Sequence, residues 1–289
     1  MLGKALRGLF SGGHDAAAAV IDPVQETDAV PEDGYAVVTR SRQGVFINNA
    51  YDQGVGWQLR THGAFDEVQM GLLTALCVTL PRDATVLDIG ANIGVVCVVL
   101  ARAVGPAARV LAFEPQRHLF NMLAGNLALN AADNVICRCE AVGAAPGVAS
   151  LPVLNYRDFA SFGSVELNRT AQSDAFQQAQ DGRFESVPMV SVDSLGLTRI
   201  AFIKIDVEGM EDQVLAGAKA TIARDLPVMY VEHLKSDKSA LGNALAGLGY
   251  RLFDFYDNFV CIPSTASGLD HVMAGLEPYA PDTHPESSP

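Results

Sequence analysis

Residues 86–94, Val-Leu-Asp-Ile-Gly-Ala-Asn-Ile-Gly, constrain the fold of this chain more than any other stretch. Val86 and Leu87 suit a parallel strand buried on both faces. Asp88 puts a carboxylate near the strand's end. Gly90 and Gly94 flank a turn in which a side chain would block the close approach of a ligand. The apolar run from Ile93 to Val104 reads as a buried helix stopped by Gly105-Pro106. Strand, glycine turn and helix, in that order, open the nucleotide-binding half of a doubly wound α/β sheet.

The spacing narrows the ligand. Dinucleotide sites use Gly-x-Gly-x-x-Gly to bring backbone N–H groups onto a pyrophosphate. Here the pattern is Asp-x-Gly-x-x-x-Gly, with Asn92 where the second glycine would stand. It resembles motif I of the class I S-adenosylmethionine-dependent methyltransferases. That cofactor has no phosphate but carries a sulfonium and an ammonium, which suit an anion such as Asp88. A second strand, Arg109 to Phe113, ends in Glu114-Pro115. Glu114 falls 20 residues after Gly94, close to the ~20-residue offset of a carboxylate that grips ribose hydroxyls. Pro115 ends the strand and can start the next helix, expected through Leu127.

The remaining pattern extends the sheet. Tyr35–Val38 and Val45–Ile47 alternate around Gly44 as a small hairpin, and Asp66 to Leu80 reads as a helix before the first sheet strand. Val135 to Cys139, Ala201 to Ile205 and Val228 to Val231 are the third, fourth and fifth strands, while Ala149–Val153 and Val187–Val190 are candidate strands of an insertion. Arg251–Phe255 and Phe259–Ile262, around Tyr256-Asp257-Asn258, form a hairpin that leaves one strand antiparallel. The expected fold is therefore α/β: a doubly wound, mostly parallel, seven-stranded Rossmann-like sheet with a reversed last strand. Residues 1–33 read as a flexible leader, 34–262 as the folded domain with a small N-terminal β element, and 263–289 as a loosely ordered tail rich in Pro, Ser, Gly and Asp.

Charge and cysteine content bound the partners. A formal net charge of −13 argues against a nucleic-acid partner, because phosphate binding needs a basic surface. The five cysteines, at 77, 97, 137, 139 and 261, show no paired framework. Cys137-x-Cys139 alternates along a strand, which turns the two thiols to opposite faces and argues against a zinc site. Reduced thiols fit a cytoplasmic setting, and no segment is long enough to span a membrane.

Ligands of such sheets sit outside the carboxyl ends of the strands. Asp88, Glu114, Glu140, Asp206 and Glu232 all fall there. Buried charges are costly without partners, so five acids at strand ends indicate a site. Together with the 86–94 stretch, Ala-Phe-Glu-Pro (112–115), Asn-Leu-Ala-Leu-Asn (126–130) and Ile-Lys-Ile-Asp-Val-Glu-Gly (203–209) resemble the FkbM-type methyltransferases. Gly-Val-Phe-Ile (44–47), Gly-Ala-Phe-Asp-Glu (63–67) and Phe-Gly-Ser-Val (162–165) are also similar, so the likeness covers roughly residues 34 to 262. Ser164 departs from a frequent glycine, and an insertion lies around Gln172 to Arg183.

The resemblance implies an S-adenosylmethionine-dependent enzyme methylating hydroxyls of a sugar, glycan or secondary-metabolite acceptor. The expected cofactor-binding residues are Asp88, Gly90, Ala91, Asn92, Gly94, Glu114, Pro115, Glu140, Ala141 and Asp206. The candidates for the transfer step are Asp206, Glu208 and His233. His233 is favoured by its ordinary pKa, whereas Glu208 has an alternative role capping a helix that starts near Met210. Asp206 with Glu232-His233 also resembles the metal-binding positions of catechol-type O-methyltransferases, which makes a divalent ion a further candidate, manganese or zinc better than magnesium given the histidine. Two other classes compete: an oxidoreductase on the same fold, disfavoured by the missing Gly-x-Gly-x-x-Gly, and a non-catalytic module that keeps the pocket.

Overall fold

The computed structural model describes residues 34–164 and 179–281; the leader expected at 1–33 lies outside the described residues, as does most of the 172–183 insertion. The chain opens on a hairpin, β1 (Ala36–Ser41) and β2 (Gly44–Asn49), followed by helices α1 (Val55–His62) and α2 (Glu67–Cys77). Asp66 caps α2 by accepting from the Gln69 N–H at 3.0 Å. This replaces one of the orphan N–H contacts of a helix start.

The central sheet begins with β3 (Thr85–Ile89), in which every residue is buried. It continues through α3 (Val95–Val104), β4 (Arg109–Phe113), α4 (Arg117–Leu129) and β5 (Val135–Arg138). After an excursion come β9 (Ile200–Ile205), α5 (Glu211–Ala216), α6 (Lys219–Asp225), β10 (Val228–Glu232), α7 (Lys238–Gly247), β11 (Tyr250–Phe255) and β12 (Asn258–Pro263). The strand order is β5-β4-β3-β9-β10-β12-β11, with a further strand β13 (Glu277–Tyr279) on the β11 edge. β12 runs antiparallel to β10, and β3, β4, β5, β9 and β10 are mutually parallel. The reversed strand is thus where the 251–262 hairpin signal places it.

One apolar cluster, including Val86, Phe202, Tyr230 and the inner faces of α2 and α3, fills one side of this sheet; a second, including Leu87, Ile203, Met229 and Phe259, fills the other. Alternation along each strand separates the two sets. The excursion is a three-stranded sheet of β6 (Ala141–Val142), β7 (Gly147–Leu154) and β8 (Ala179–Val190), in the order β6-β8-β7.

The 126–130 motif has a structural job. Asn130 exchanges two bonds with the Val45 backbone, at 3.1 and 2.7 Å, and Asn126 exchanges two with Ile47, at 2.5 and 2.9 Å. Two amides spaced one helical turn apart therefore satisfy β2 as a neighbouring strand would. Asn126 also donates to the Ile93 carbonyl at 2.8 Å, which ties the hairpin to the start of α3.

Residues 263–281 do not form the expected loose tail. Helix α8 (Asp270–Met273) buries Leu269, Val272, Met273 and Leu276 against the first cluster, and β13 pairs with β11. These four apolar side chains remove enough surface from water to outweigh the surrounding turn-forming residues. Among the described residues no helix is long and apolar enough to cross a membrane.

Candidate active site

At the carboxyl ends of β3, β4 and β9 the chain forms a recess walled by Gly90, Asn92, Glu114, Pro115, Gln116, Glu140, Ala141, Asp206 and Glu208, with Val142 and Leu151 from the excursion. Glu114 is its most constrained acid. Its Oε2 accepts the Asn92 N–H and its Oε1 the Gln116 N–H, both at 2.9 Å. Each oxygen keeps a further acceptor position. Burial pushes its pKa up to about 7, against the pull of those two N–H groups and of Lys204. On the far wall, Arg138 donates to Glu140 at 2.8 Å.

The glycines are needed for reasons other than ligand approach. Gly90 has φ +82°, and a Cβ there would overlap the backbone carbonyl oxygen of Asp206. Gly94, φ +87°, would press a Cβ to 2.5 Å from Leu123 Cδ1. Both keep protein against protein. Ala91 is 3 % exposed and belongs to the core behind the turn. Neither Gly94 nor Ala91 lines the recess; Gly90 does.

Asp88 does not reach the recess either. It is fully buried, and neither carboxylate oxygen has a hydrogen-bond partner of ordinary geometry. Its neighbour is Lys204, a residue the sequence reading passed over, whose ammonium lies 3.5 Å from Asp88 Oδ1, 3.1 Å from Asp206 Oδ2 and 2.7 Å from the Gly90 carbonyl oxygen. Burial first, and to a lesser degree the charge of Asp206, raise the Asp88 pKa, and Lys204 opposes them. Burial would lower the Lys204 pKa, but Asp206 and Asp88 overcome it and raise the value. The available signal was a lysine between two isoleucines in a doubly buried strand, a position that demands partners.

Three carboxylates converge beside the recess: Asp206, Glu208 and Glu232 offer oxygens within 4.8 Å of one another. Lys204 pairs with Asp206, and Lys235 with Glu208 at 2.6 Å. Glu232 Oε2 is buried without a hydrogen-bond partner. Burial, then the charges of Asp206 and Glu208, push the Glu232 pKa up to about 9. Burial first raises the Glu208 pKa as well, with Lys235 opposing and the charges of Asp206 and Glu211 adding to the rise.

His233 is elsewhere. Glu232 shares the strand face of Tyr230, so the next side chain turns to the opposite side of the sheet. There the ring packs 4.6 Å from that of Phe259, and Nε2 lies 3.8 Å from Asp254. Burial, then Lys238, lowers its pKa. The set of Asp206, Glu232 and His233 expected for a divalent ion is therefore not assembled, and two of the three clustered acids already face lysines.

Nor does Glu208 cap a helix. It sits at φ +59° in the loop, and no side chain caps α5; Glu211, its first residue, instead reaches back to accept from the loop N–H groups of Val207 and Gly209 at 3.1 and 3.2 Å and from the Ser236 hydroxyl. Gly163 crosses over the recess against Asn92, and the neighbouring Ser164 carbonyl accepts from Lys235 at 2.9 Å.

A doubly wound sheet with this strand order, a reversed strand next to the fifth parallel one and an acid closing the second is the architecture of the class I methyltransferases. The family description Methyltransferase FkbM domain matches residues 88–259. The chain belongs to the FkbM methyltransferase family. Among curated proteins it is 29 % identical over 161 residues to Methyltransferase sdnD of Sordaria araneosa, covering 48 % of this chain and 61 % of that one. It is also 29 % identical over 196 residues to the AMB antimetabolite synthetase AmbE of Pseudomonas aeruginosa, covering 58 % of this chain and 9 % of that one. The chain thus spans less than two thirds of either relative's length. Among solved structures, Methyltransferase FkbM from Methylobacillus flagellatus KT aligns with a TM-score of 0.44 at 18 % identity, over 64 % of this chain and 47 % of that one.

Proposed function

We propose that this chain is an S-adenosylmethionine-dependent methyltransferase that methylates a hydroxyl of a sugar or secondary-metabolite acceptor. The observation that carries the cofactor is Glu114. Its carboxylate is fixed by two backbone N–H groups, leaves one acceptor site on each oxygen and lines the recess. That arrangement fits vicinal ribose hydroxyls without phosphate. Glu140, Ala141 and Leu151 then wall the adenine side, and Asp206 and Glu208 the methionine and acceptor side.

The cofactor supplies an activated methyl group on a positively charged sulfur. The protein's share is alignment, which can lower the barrier by up to about 7–11 kcal/mol, and removal of the acceptor's proton. Asp206 is the group assigned to that proton. It lines the recess and keeps 30 % of its side chain exposed, against 15 % for Glu208. His233, packed against Phe259 on the opposite face of the sheet, is not placed to take that proton.

The test has two arms. Isothermal titration with S-adenosylhomocysteine and, separately, NAD distinguishes the cofactor class; binding of NAD alone overturns the reading. With an acceptor from a sugar and hydroxy-metabolite screen, Asp206→Asn is expected to lower turnover by about two to four orders of magnitude, the range of general acid–base groups, with little change in S-adenosylhomocysteine affinity. Near-normal turnover removes Asp206 from the proton transfer.

A further inference from the structure

The most enclosed charged group beside the recess is one that neither binds ligand nor carries out the chemistry. Lys204 is 3 % exposed at the side chain, and its ammonium faces three oxygens: the Gly90 carbonyl at 2.7 Å, Asp206 Oδ2 at 3.1 Å and, as a longer ion pair at 3.5 Å, Asp88 Oδ1. We propose that Lys204 is a positioning residue, a tripod that locks the glycine turn of β3 to the end of β9 and so sets the geometry between the cofactor wall and Asp206, with Asp88 as its buried counter-ion rather than a ligand contact.

The backbone shows why such a lock is needed. Gly90 and Asp206 are packed so closely that no Cβ fits between them, and the direct ladder bond there is Asp206 N–H to the Ile89 carbonyl at 3.0 Å. Beyond that bond the two segments diverge, one toward Asn92 and Glu114, the other toward Glu208. The Gly90 peptide is in a left-handed conformation with its carbonyl oxygen turned inward. In that position the oxygen faces the buried Lys204 ammonium, and a carbonyl turned inward must be paired. The Lys204 ammonium pairs it and at the same time holds the one carboxylate of the network that is open to the recess. An arginine fork is too wide and flat to take three acceptors around one point; a lysine ammonium is a compact point charge with rotatable donors.

Asp88 then has a defined part. One lysine among the carbonyl and Asp206 alone would suffice for charge, but the third donor would be left unpaired in the core. Asp88, 0 % exposed, faces that side of the ammonium at 3.5 Å as its buried counter-charge. A ligand's ammonium cannot reach it without expelling Lys204, which leaves Glu114, Glu140, Asp206 and Glu208 as the acids on the recess wall.

The inference rests on the methyltransferase reading for its consequences, not for its geometry, and the experiment separates the two. Lys204→Met alone strands a buried carboxylate, so the first variant is the double change Asp88→Asn with Lys204→Met, which removes both charges together. The second is Lys204→Gln, whose amide keeps donors for the Gly90 carbonyl and Asp206. Hydrogen–deuterium exchange on the ligand-free protein is followed in peptides covering 86–94 and 203–210. Both variants are expected to lose protection there by tenfold or more, the glutamine less than the double variant, with β11 and β12 unaffected. In titrations, the double variant is expected to bind S-adenosylhomocysteine at least tenfold more weakly, with a larger loss in kcat than in KM for the acceptor. A folded double or glutamine variant with wild-type exchange in both peptides and affinity within twofold overturns the tripod. Failure of the wild-type protein to bind S-adenosylhomocysteine overturns the functional reading instead, and the exchange data still decide the role of Lys204.

Discussion

Cofactor binding to this protein should be coupled to the loss of one proton from Glu114. In the free protein, burial raises that carboxyl to about 7, well above its ordinary value. Ribose hydroxyls donate to the carboxylate and not to the acid form, so the binding-competent species is the ionised one. The apparent dissociation constant then scales with one plus the ratio of protonated to ionised Glu114. With a midpoint at about 7 that factor is about 1.1 at pH 8, about 2 at pH 7 and about 11 at pH 6, a tenfold loss worth about 1.4 kcal/mol. S-adenosylhomocysteine carries no group that titrates in this window. The assay is isothermal titration at half-unit steps from pH 5.5 to 8.5, repeated in two buffers of different ionisation enthalpy so that the proton released is counted directly. Glu114→Gln should flatten the curve below pH 8 and, at pH 8, weaken binding by roughly 1–3 kcal/mol, the range for a hydrogen bond to a charged partner. An affinity that is level between pH 6 and 8 in the wild type, or the same slope in Glu114→Gln, refutes the assignment of Glu114 to the ribose.

The ligand-free protein should lose stability as pH rises. Glu114 and Glu232 have folded values near 7 and 9, above their unfolded ones, so between the unfolded and folded values the folded state holds more protons and stability falls with increasing pH. Thermal melts should shift down from pH 6 to 9, with Glu232→Gln flattening the upper part; a rise in Tm over that range contradicts the inference. Gly90→Ala forces a Cβ onto the Asp206 carbonyl at a positive φ, and is expected to destabilise by more than about 3 kcal/mol, read as urea midpoint; a shift under half that size means the turn can move. His233→Ala should leave turnover within about threefold while lowering Tm, because its ring fills a space against Phe259 on the far face; a hundredfold loss of kcat returns His233 to the chemistry.

The fold was legible because its signals are periodic and its turns are marked. Buried runs such as 85–89 and 200–205, the Tyr-Asp-Asn turn before β12 and the offset from Gly94 to Glu114 follow from backbone geometry. Helix α1 escaped notice because Gly54 and Gly56 stand at its start, and α8 because its four apolar residues lie among Gly, Asp and Pro. At the site, the positions of the strand-end acids could be read but the directions of their side chains could not. Alternation in β10 puts Glu232 on the face of Tyr230 and sends His233 to the other, a two-residue parity that the attraction of a histidine pKa overrode. Glu208 was expected to cap the helix after it, but its positive φ turns it to Lys235, and it is Glu211 that gathers the loop N–H groups of Val207 and Gly209. Lys204 lay in plain view, yet two of the oxygens it faces, those of Asp88 and Gly90, come from a segment over a hundred residues earlier that only the β3–β9 pairing brings beside it.

The charges of the recess decide which acid can take a proton. Asp88 is sealed behind Lys204, and Glu208 is held by Lys235 with 15 % of its side chain exposed. Glu232, raised to about 9, already carries its proton at neutral pH and can give one but not accept one. Glu114 is committed to the N–H groups of Asn92 and Gln116. Asp206 lines the recess, is the more exposed of the two acids there that face lysines, and has the Lys204 ammonium 3.1 Å from one oxygen. A carboxylate is a weak base for an alcohol, and it is sufficient only if the proton moves late, after the bond from oxygen to carbon has begun to form and the hydroxyl has become acidic. That timing in turn requires the acceptor to be held in line before any proton moves. The rigid attachment of Asp206 to Lys204, and of Lys204 to the Gly90 turn, is the feature of this chain that meets the requirement.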